Sequence, residues 1–208
     1  MSIDTTTRPF PHLSLEAETA DRLFLEARTA REFAAADVAD EQIRAVYDLV
    51  KYGPTAMNTV PMRLLVVRSE QARERLVTHM AEGNKERVAT APLSIVIAYD
   101  PAFHEHMDRL FPHVPGMRDR LAGNPDQRSA IARDNALLQA GYLIVGLRAA
   151  GLATGPMNGM DHAGIDGEFF TENGWKSLMV VNVGTAEGTG TSHPRGERLS
   201  FDVATQTV

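Results

Sequence analysis

The run from Asn135 to Ala150, NALLQAGYLIVGLRAA, constrains this chain more than any other stretch. It carries a single charge, Arg148, and is followed by Gly151, a natural helix stop. A helix lying on the surface of a domain shows one apolar stripe and one polar face. This run, read as a helix over residues 134–150, is too apolar for that and must be covered on most sides. The rest of the chain must therefore supply layers around it. No stretch reaches the length of about 20 uncharged residues that spans a bilayer, so the helix is expected inside a protein core and not in a membrane.

The other elements fit such layers. A helix is expected over residues 14–27, with Leu23, Phe24 and Ala27 on one stripe. A second opens at Asp40, places Ile43, Val46, Tyr47 and Val50 on one face, and stops at Gly53-Pro54. A third is expected over 70–80. Three short runs read as buried strands: LLVVR at 64–68, SIVIAY at 94–99 and SLMVVNVG at 177–184. Residues 100–127 mix aromatic, histidine, proline and glycine residues and read as short helices and loops, a candidate lid. The elements do not alternate as βα units, so the class expected is α+β rather than a doubly wound sheet. We expect a single domain over residues 1–208, with a loose arm over 1–13 and an extended polar tail over 185–208.

Composition narrows the function. The formal net charge is −6 and the isoelectric point about 5.6, which argues against a nucleic-acid partner. With no cysteine, the chain has no thiol nucleophile or thiolate metal site, and redox chemistry would need a bound cofactor. No signal-peptide pattern opens the chain, so a cytoplasmic location is expected. There is no GxGxxG, P-loop or GxSxG elbow. The Phe103-His104-Glu105-His106 run lacks the spacing that completes a metal site.

Four stretches stand apart from ordinary core or surface. In Ala27–Phe33, ARTAREF, Arg28 and Arg31 flank Thr29 and offer forked donors to a phosphate or an electron-rich ring; a solvated helix end is the plain alternative. In GPTAMNTVP, residues 53–61, two prolines bracket small residues before a strand, and Asn58 both donates and accepts; a simple connection explains it equally. In GNKER, residues 83–87, Asn84 and Arg87 share a face on a helical turn, as any solvated turn would allow. In GPMNGMD, residues 155–161, glycines around Pro156 suit a backbone passing close to a ligand, or a plain turn.

Taken in order, these stretches resemble the FMN-dependent nitroreductase family, and within it the branch of malonic semialdehyde reductases from pyrimidine degradation. The pieces are ARTAREF, DLVKYGPTAMNTVPMRLLVVR, EGNKERVATAPLSIVIAYD, LFPH, NALLQAGYLIVGLRAAGLATGPMNGMD, WKSLMVVNVG and HPRGERLSFD, spread over about residues 23–203. The resemblance implies a central, mostly antiparallel sheet flanked by helices, and an intertwined homodimer with FMN at the interface. It implies a hydride passed from NADH or NADPH through flavin N5 to a small acceptor, either malonic semialdehyde or a similar 3-oxo acid. A nitroaromatic or quinone reductase is the alternative, and a flavin-binding protein without turnover is a reading of another class.

Carried over by position, Arg28, Thr29 and Arg31 correspond to the N-terminal flavin contacts. Pro54, Thr55, Ala56 and Asn58 correspond to the loop lent by the other subunit. Asn84 and Arg87 correspond to a pair facing the flavin's polar edge. Pro156, Met157, Asn158 and Gly159 correspond to the strip against the ring, and Arg195 and Arg198 to the basic pair that closes on the phosphate. Ala27 and Val60 depart from the family pattern, which more often has Arg, and Gln or Ser, at these two positions. No side chain is expected to act as acid or base.

Overall fold

A computed structural model describes residues 12–188 and 194–208; most of the expected N-terminal arm lies outside them. The chain enters through a short helix, α1 (Ala17–Ala20), which widens into a π-type turn over Asp21–Leu25. There the helix ends, before ARTAREF, which runs extended instead. Helix α2 (Asp40–Val50) carries two acids in its first turn and buries Ile43, Val46 and Val50 at the i, i+3, i+7 spacing its sequence predicts.

Strand β1 (Met62–Val67), helices α3 (Glu70–Thr78) and α4 (Glu82–Thr90), and strand β2 (Leu93–Tyr99) follow. Residues 100–127 form less of a loose lid than expected. A 3-10 turn at Phe103–His106 leads into helices α5 (Met107–Leu110) and α6 (Met117–Ala122), and these close over a small core of Phe103, Met107, Leu121 and Ala132.

Helix α7 (Pro125–Ala149) is longer than its apolar run. Its start is marked by Asn124, whose Oδ1 accepts the Gln127 N–H at 3.2 Å, and by Pro125 at the first helical position. A polar first half hid that start. Its end follows the sequence: Gly151 stands at φ +79°, Gly151 N–H bonds the Arg148 carbonyl and Leu152 N–H bonds the Leu147 carbonyl, the paired bonds of a Schellman stop.

The sheet has four strands in the order β1-β2-β4-β3, with all three pairings antiparallel. Strand β4 (Lys176–Gly184) was expected; β3 (Ala153–Met157) was not. Its sequence, ATGPM, reads as a turn, because Gly and Pro disfavour strands. Proline is tolerated here since β3 is an edge. Helix α8 (His162–Phe169) packs on β4, and a short α9 (Phe201–Ala204) lies in the exposed tail.

The sheet is covered on both faces. Leu93, Ile95, Ile97, Val181 and Val183 face α2 and α7. Val96, Ala98 and Val180 face the layer of α3, α4 and α8, where Leu76, Val88 and Ile165 are buried. Gly146 brings α2 and α7 together, since a Cβ there would fall 2.3 Å from Val50 Cγ1. One side of α7 stays uncovered in the single chain: Leu138 is 45% exposed. On α2 and just beyond it, Leu49 is 64% and Tyr52 81% exposed.

Candidate functional site

The site is built on the outer edge of β3. After the π-type turn the chain runs beside that strand: Ala30 N–H donates to the Thr154 carbonyl at 2.9 Å, and Thr29 forms a parallel bridge to Thr154. The approach requires a glycine at 155, because a Cβ there would lie 2.5 Å from the Ala30 carbonyl oxygen. Arg28, Thr29 and Arg31 are thereby carried on an extended segment, not on the helix end the sequence suggested.

This edge opens into a cleft of about 680 Å³. Arg28, Thr29, Arg31, Arg87, Pro156, Arg195 and Arg198 line it, with Phe24 and Leu25 as an apolar wall. One further arginine, Arg148, stands there without having been foreseen. Among the described residues the lining thus holds six arginines and no carboxylate, in a chain with net charge −6. Arg195 reaches it from the tail by donating from Nη2 to the Ala27 carbonyl at 3.0 Å, while Arg198 donates to the carbonyls of Gly196 and Glu197.

Arg87 is fixed from two directions. Its Nη1 donates to Asn84 Oδ1 at 3.1 Å, and Asn84 Nδ2 donates to the Gly159 carbonyl at 3.0 Å. Behind it, buried Asn182 on β4 donates to the Arg87 carbonyl at 2.7 Å, and Ser94 Oγ on β2 donates to Asn182 Oδ1 at 2.7 Å. The last carbonyls of a helix lack partners within it, so this bond satisfies one of them at the end of α4. Arg87 Nε is buried without a partner. Burial first, and then the charge of Arg31, hold the guanidinium below its usual range.

Two sequence candidates take other roles within the chain. The Asn84 carboxamide is engaged by Arg87 and Gly159 and does not line the cleft. The Met157 side chain lies in the core with Val180 and Phe170, so only its backbone is left to meet a ligand. Asn158 and Gly159 are exposed at the end of β3.

The loop with Pro54, Thr55, Ala56 and Asn58 does not line this cleft in the single chain. It is held against α7 by a row of polar side chains at i, i+4 and i+7. Asn135 Oδ1 accepts the Ala56 N–H at 2.7 Å, Gln139 Oε1 accepts the Met62 N–H at 3.0 Å, and the Tyr142 hydroxyl donates to the Pro54 carbonyl at 3.1 Å. Asn58 Nδ2 donates to the Leu110 carbonyl at 2.9 Å, tying the loop to the cap of α5 and α6. Three non-glycine residues here adopt positive φ: Met57 at 53°, Asn58 at 51° and Val60 at 40°. For a β-branched residue such as Val60 this is a strained backbone.

Comparison with known proteins places the chain. The model of the family described as "Nitroreductase family" matches residues 25–185. The chain belongs to the nitroreductase family. A Streptomyces coelicolor relative, named a candidate NADH dehydrogenase/NAD(P)H nitroreductase, is 50% identical over 196 residues, covering 94% of this chain and 99% of the relative. One of the same name from Ralstonia nicotianae is 42% identical over 191 residues, covering 92% and 97%.

Among solved structures, a nitroreductase-like protein from Bacillus subtilis superposes with a TM-score of 0.80 at 18% identity, covering 93% of this chain and 100% of that one. One from Exiguobacterium sibiricum, described in complex with FMN, superposes at 0.77 and 19% identity, covering 90% and 96%. At these identities the likeness concerns the nitroreductase fold.

The residues that sequence reasoning missed are those that hold others in place. Asn135 and Gln139 sat inside an apolar helix, and their i, i+4 spacing was the available signal. Asn182 was hidden in a strand read as plain core. Arg148 was the single charge of the apolar 135–150 run, and that isolation was its available signal. The cleft's donors suit a phosphate monoester: guanidinium forks bind two oxygens at once, and the buried Nε atoms of Arg87 and Arg148 lack partners among the described residues.

Proposed function

We propose that the chain is an NAD(P)H-dependent FMN oxidoreductase acting as a homodimer, and that the six-arginine cleft takes the flavin phosphate. The observation that carries this is the collection of Arg28, Arg31, Arg87, Arg148, Arg195 and Arg198 around one space, with no carboxylate among its described lining residues. In this reading Arg28, Arg195 and Arg198 hold the phosphate, and Thr29 adds a hydroxyl. The end of β3 from Pro156 to Gly159 lies against the ring. Arg31 or Arg87 places positive charge at the ring's polar edge, where it favours the reduced, anionic form. Bound FMN supplies the hydride chemistry, taking two electrons from a nicotinamide and passing them to an acceptor.

Pro54, Thr55, Ala56 and Asn58 come in this reading from the second copy, since they stand apart from the cleft of their own chain. The uncovered side of α7 and the exposed Leu49 and Tyr52 supply apolar surface for that contact. The 208 residues act as one flavin-binding unit within the dimer.

For the acceptor we propose malonic semialdehyde or a similar 3-oxo acid, supported by the resemblance of the joined motifs. Arg109, Arg118 and Arg120 are exposed on the cap and suit its carboxylate. The relatives' names favour a second reading, a reductase of nitroaromatics.

Anaerobic mixing of the flavin-loaded protein with NADH or NADPH tests the proposal. Rapid bleaching, followed by faster reoxidation with a 3-oxo acid than with nitroaromatics or quinones, is the expected result. Bleaching with the acceptor order reversed selects the second reading. No bleaching with either nicotinamide would leave a flavin-binding protein without turnover.

A further inference from the structure

Arg148 occupies the last turn of α7, where any cation is favoured by the helix dipole. That accounts for a positive charge at the position but not for where its side chain lies. The side chain lines the large cleft and also an adjoining one of about 360 Å³, which shares Ala27 and Arg28 with it. Its Nη1 donates to the Leu23 carbonyl at 3.1 Å, and its Nε is buried with no partner. Burial first, and then the charge of Arg195, hold the guanidinium below its usual range. Glu26 lines the adjoining cleft only, and the large one has no carboxylate among its described lining residues; a cation beside another cation, partly withdrawn from water, is favoured by an anion in that large cleft.

We propose that Arg148 binds the cofactor's phosphate, together with Arg28 and Arg195, and is not merely the anchor of the α1 end. The proposal rests on the reading of the cleft as a flavin mononucleotide site. It adds a ligand from the buried helix to a set otherwise drawn from the ARTAREF run beside β3 and from the C-terminal tail. A ligand on α7 is held by the Schellman stop and by the core.

The test uses the full chain stripped of flavin, titrated with FMN and with riboflavin, which lacks the phosphate. Wild type, Arg148→Met and Arg148→Lys are compared. Methionine keeps the stem's packing, and lysine keeps the charge without the fork. Charge-assisted bonds of this kind correspond to a loss of FMN affinity of roughly 10- to 100-fold in Arg148→Met, with riboflavin changed less than about twofold. Arg148→Lys should lie between the two. Inorganic phosphate gives a measurement free of flavin: it should raise the melting temperature of the wild-type apoprotein and have a weaker effect on Arg148→Met.

An equal loss for FMN and riboflavin, with unchanged protection by phosphate, would reduce Arg148 to an anchor of Leu23 and overturn the proposal. Unchanged affinity for both ligands would overturn it too. Wild type that does not prefer FMN to riboflavin would instead overturn the reading of the cleft itself, a different failure.

Discussion

Asn135→Ala isolates the loop from the arginine cleft. Asn135 is 8% exposed; its Oδ1 accepts the Ala56 N–H at 2.7 Å and its Nδ2 donates to the Ile131 carbonyl at 2.9 Å, which fixes the carboxamide's orientation. Removing it leaves the Ala56 N–H without its acceptor, a cost of about 0.5–1.5 kcal/mol for a part-buried hydrogen bond. The loop is poorly placed to absorb that cost. Met57, Asn58 and Val60 are all left-handed, and each such position is held against about 1–3 kcal/mol of strain by the surrounding bonds.

With the central bond gone, relaxation of the loop competes with the bonds from Gln139, Tyr142 and Leu110. If the loop meets the ring of the partner's flavin, the loss is shared by FMN and riboflavin, at roughly 2- to 10-fold for the same energy. Hydrogen exchange gives the direct readout. The amides of Ala56, Asn58 and Thr59, which bond Asn135, Thr55 and Ala56, should exchange faster while β2 and β4 keep their protection. Unchanged exchange in the loop would refute the strain argument. A loss confined to FMN would show that the loop acts on the phosphate and not on the ring.

Phe103→Ala should destabilise the protein by about 3–5 kcal/mol in urea unfolding, since Phe103 is fully buried in the cap core. Phe111→Ala, at a half-buried ring tilted against His113 with centroids 4.0 Å apart, should cost no more than about 1 kcal/mol and change acceptor preference instead; equal costs would contradict a packed cap. Arg195→Ala should weaken FMN by roughly 10- to 100-fold and leave riboflavin unaltered, with Arg198→Ala acting in the same sense but less, because Arg198 bonds only carbonyls of its own segment. Sedimentation at low micromolar concentration should show a dimer wherever FMN is bound, and a flavin-loaded monomer would sink the shared-site reading.

What the sequence disclosed follows from which forces are local. The spacing of Ile43, Val46 and Val50 is a property of one helix, and so is the stop at Gly151; both appear in the fold as the pattern predicts. Strands β2 and β4 were legible because they are β-branched and central, covered on both faces. Strand β3 was not, because ATGPM has poor strand propensity and is made a strand by its neighbour β4 and by residues 29 and 30 on its other side. Tertiary pairing overrode local preference. The same pairing turned ARTAREF from a helix end into an extended segment. Phe103 read as a lid residue since aromatic residues near prolines and glycines carry no helical period, while its burial depends on Ala132, a residue of another helix.

The arginine cleft shows the same division between local and assembled signals. Net charge is a sum over the whole surface and said only that the chain is acidic. Long-range order gathers six cations from five places: the extended segment, α4, the end of α7 and two points of the tail beyond 193. Each has an ordinary explanation alone, because surface ion pairs and helix-end charges contribute little. Assembled around one space, Arg87 stands against the charge of Arg31 and Arg148 against that of Arg195, and both are partly withdrawn from water, so an anion in the cleft would favour them. Arg63 gives the contrast within the same chain. It is half-buried, as Arg28, Arg87 and Arg148 are, yet its guanidinium meets Asp100 at 2.7 Å. Arg63 differs from Arg87 and Arg148, each of which has a buried Nε without a partner among the described residues, by the carboxylate it meets, a pairing that only the folded chain reveals.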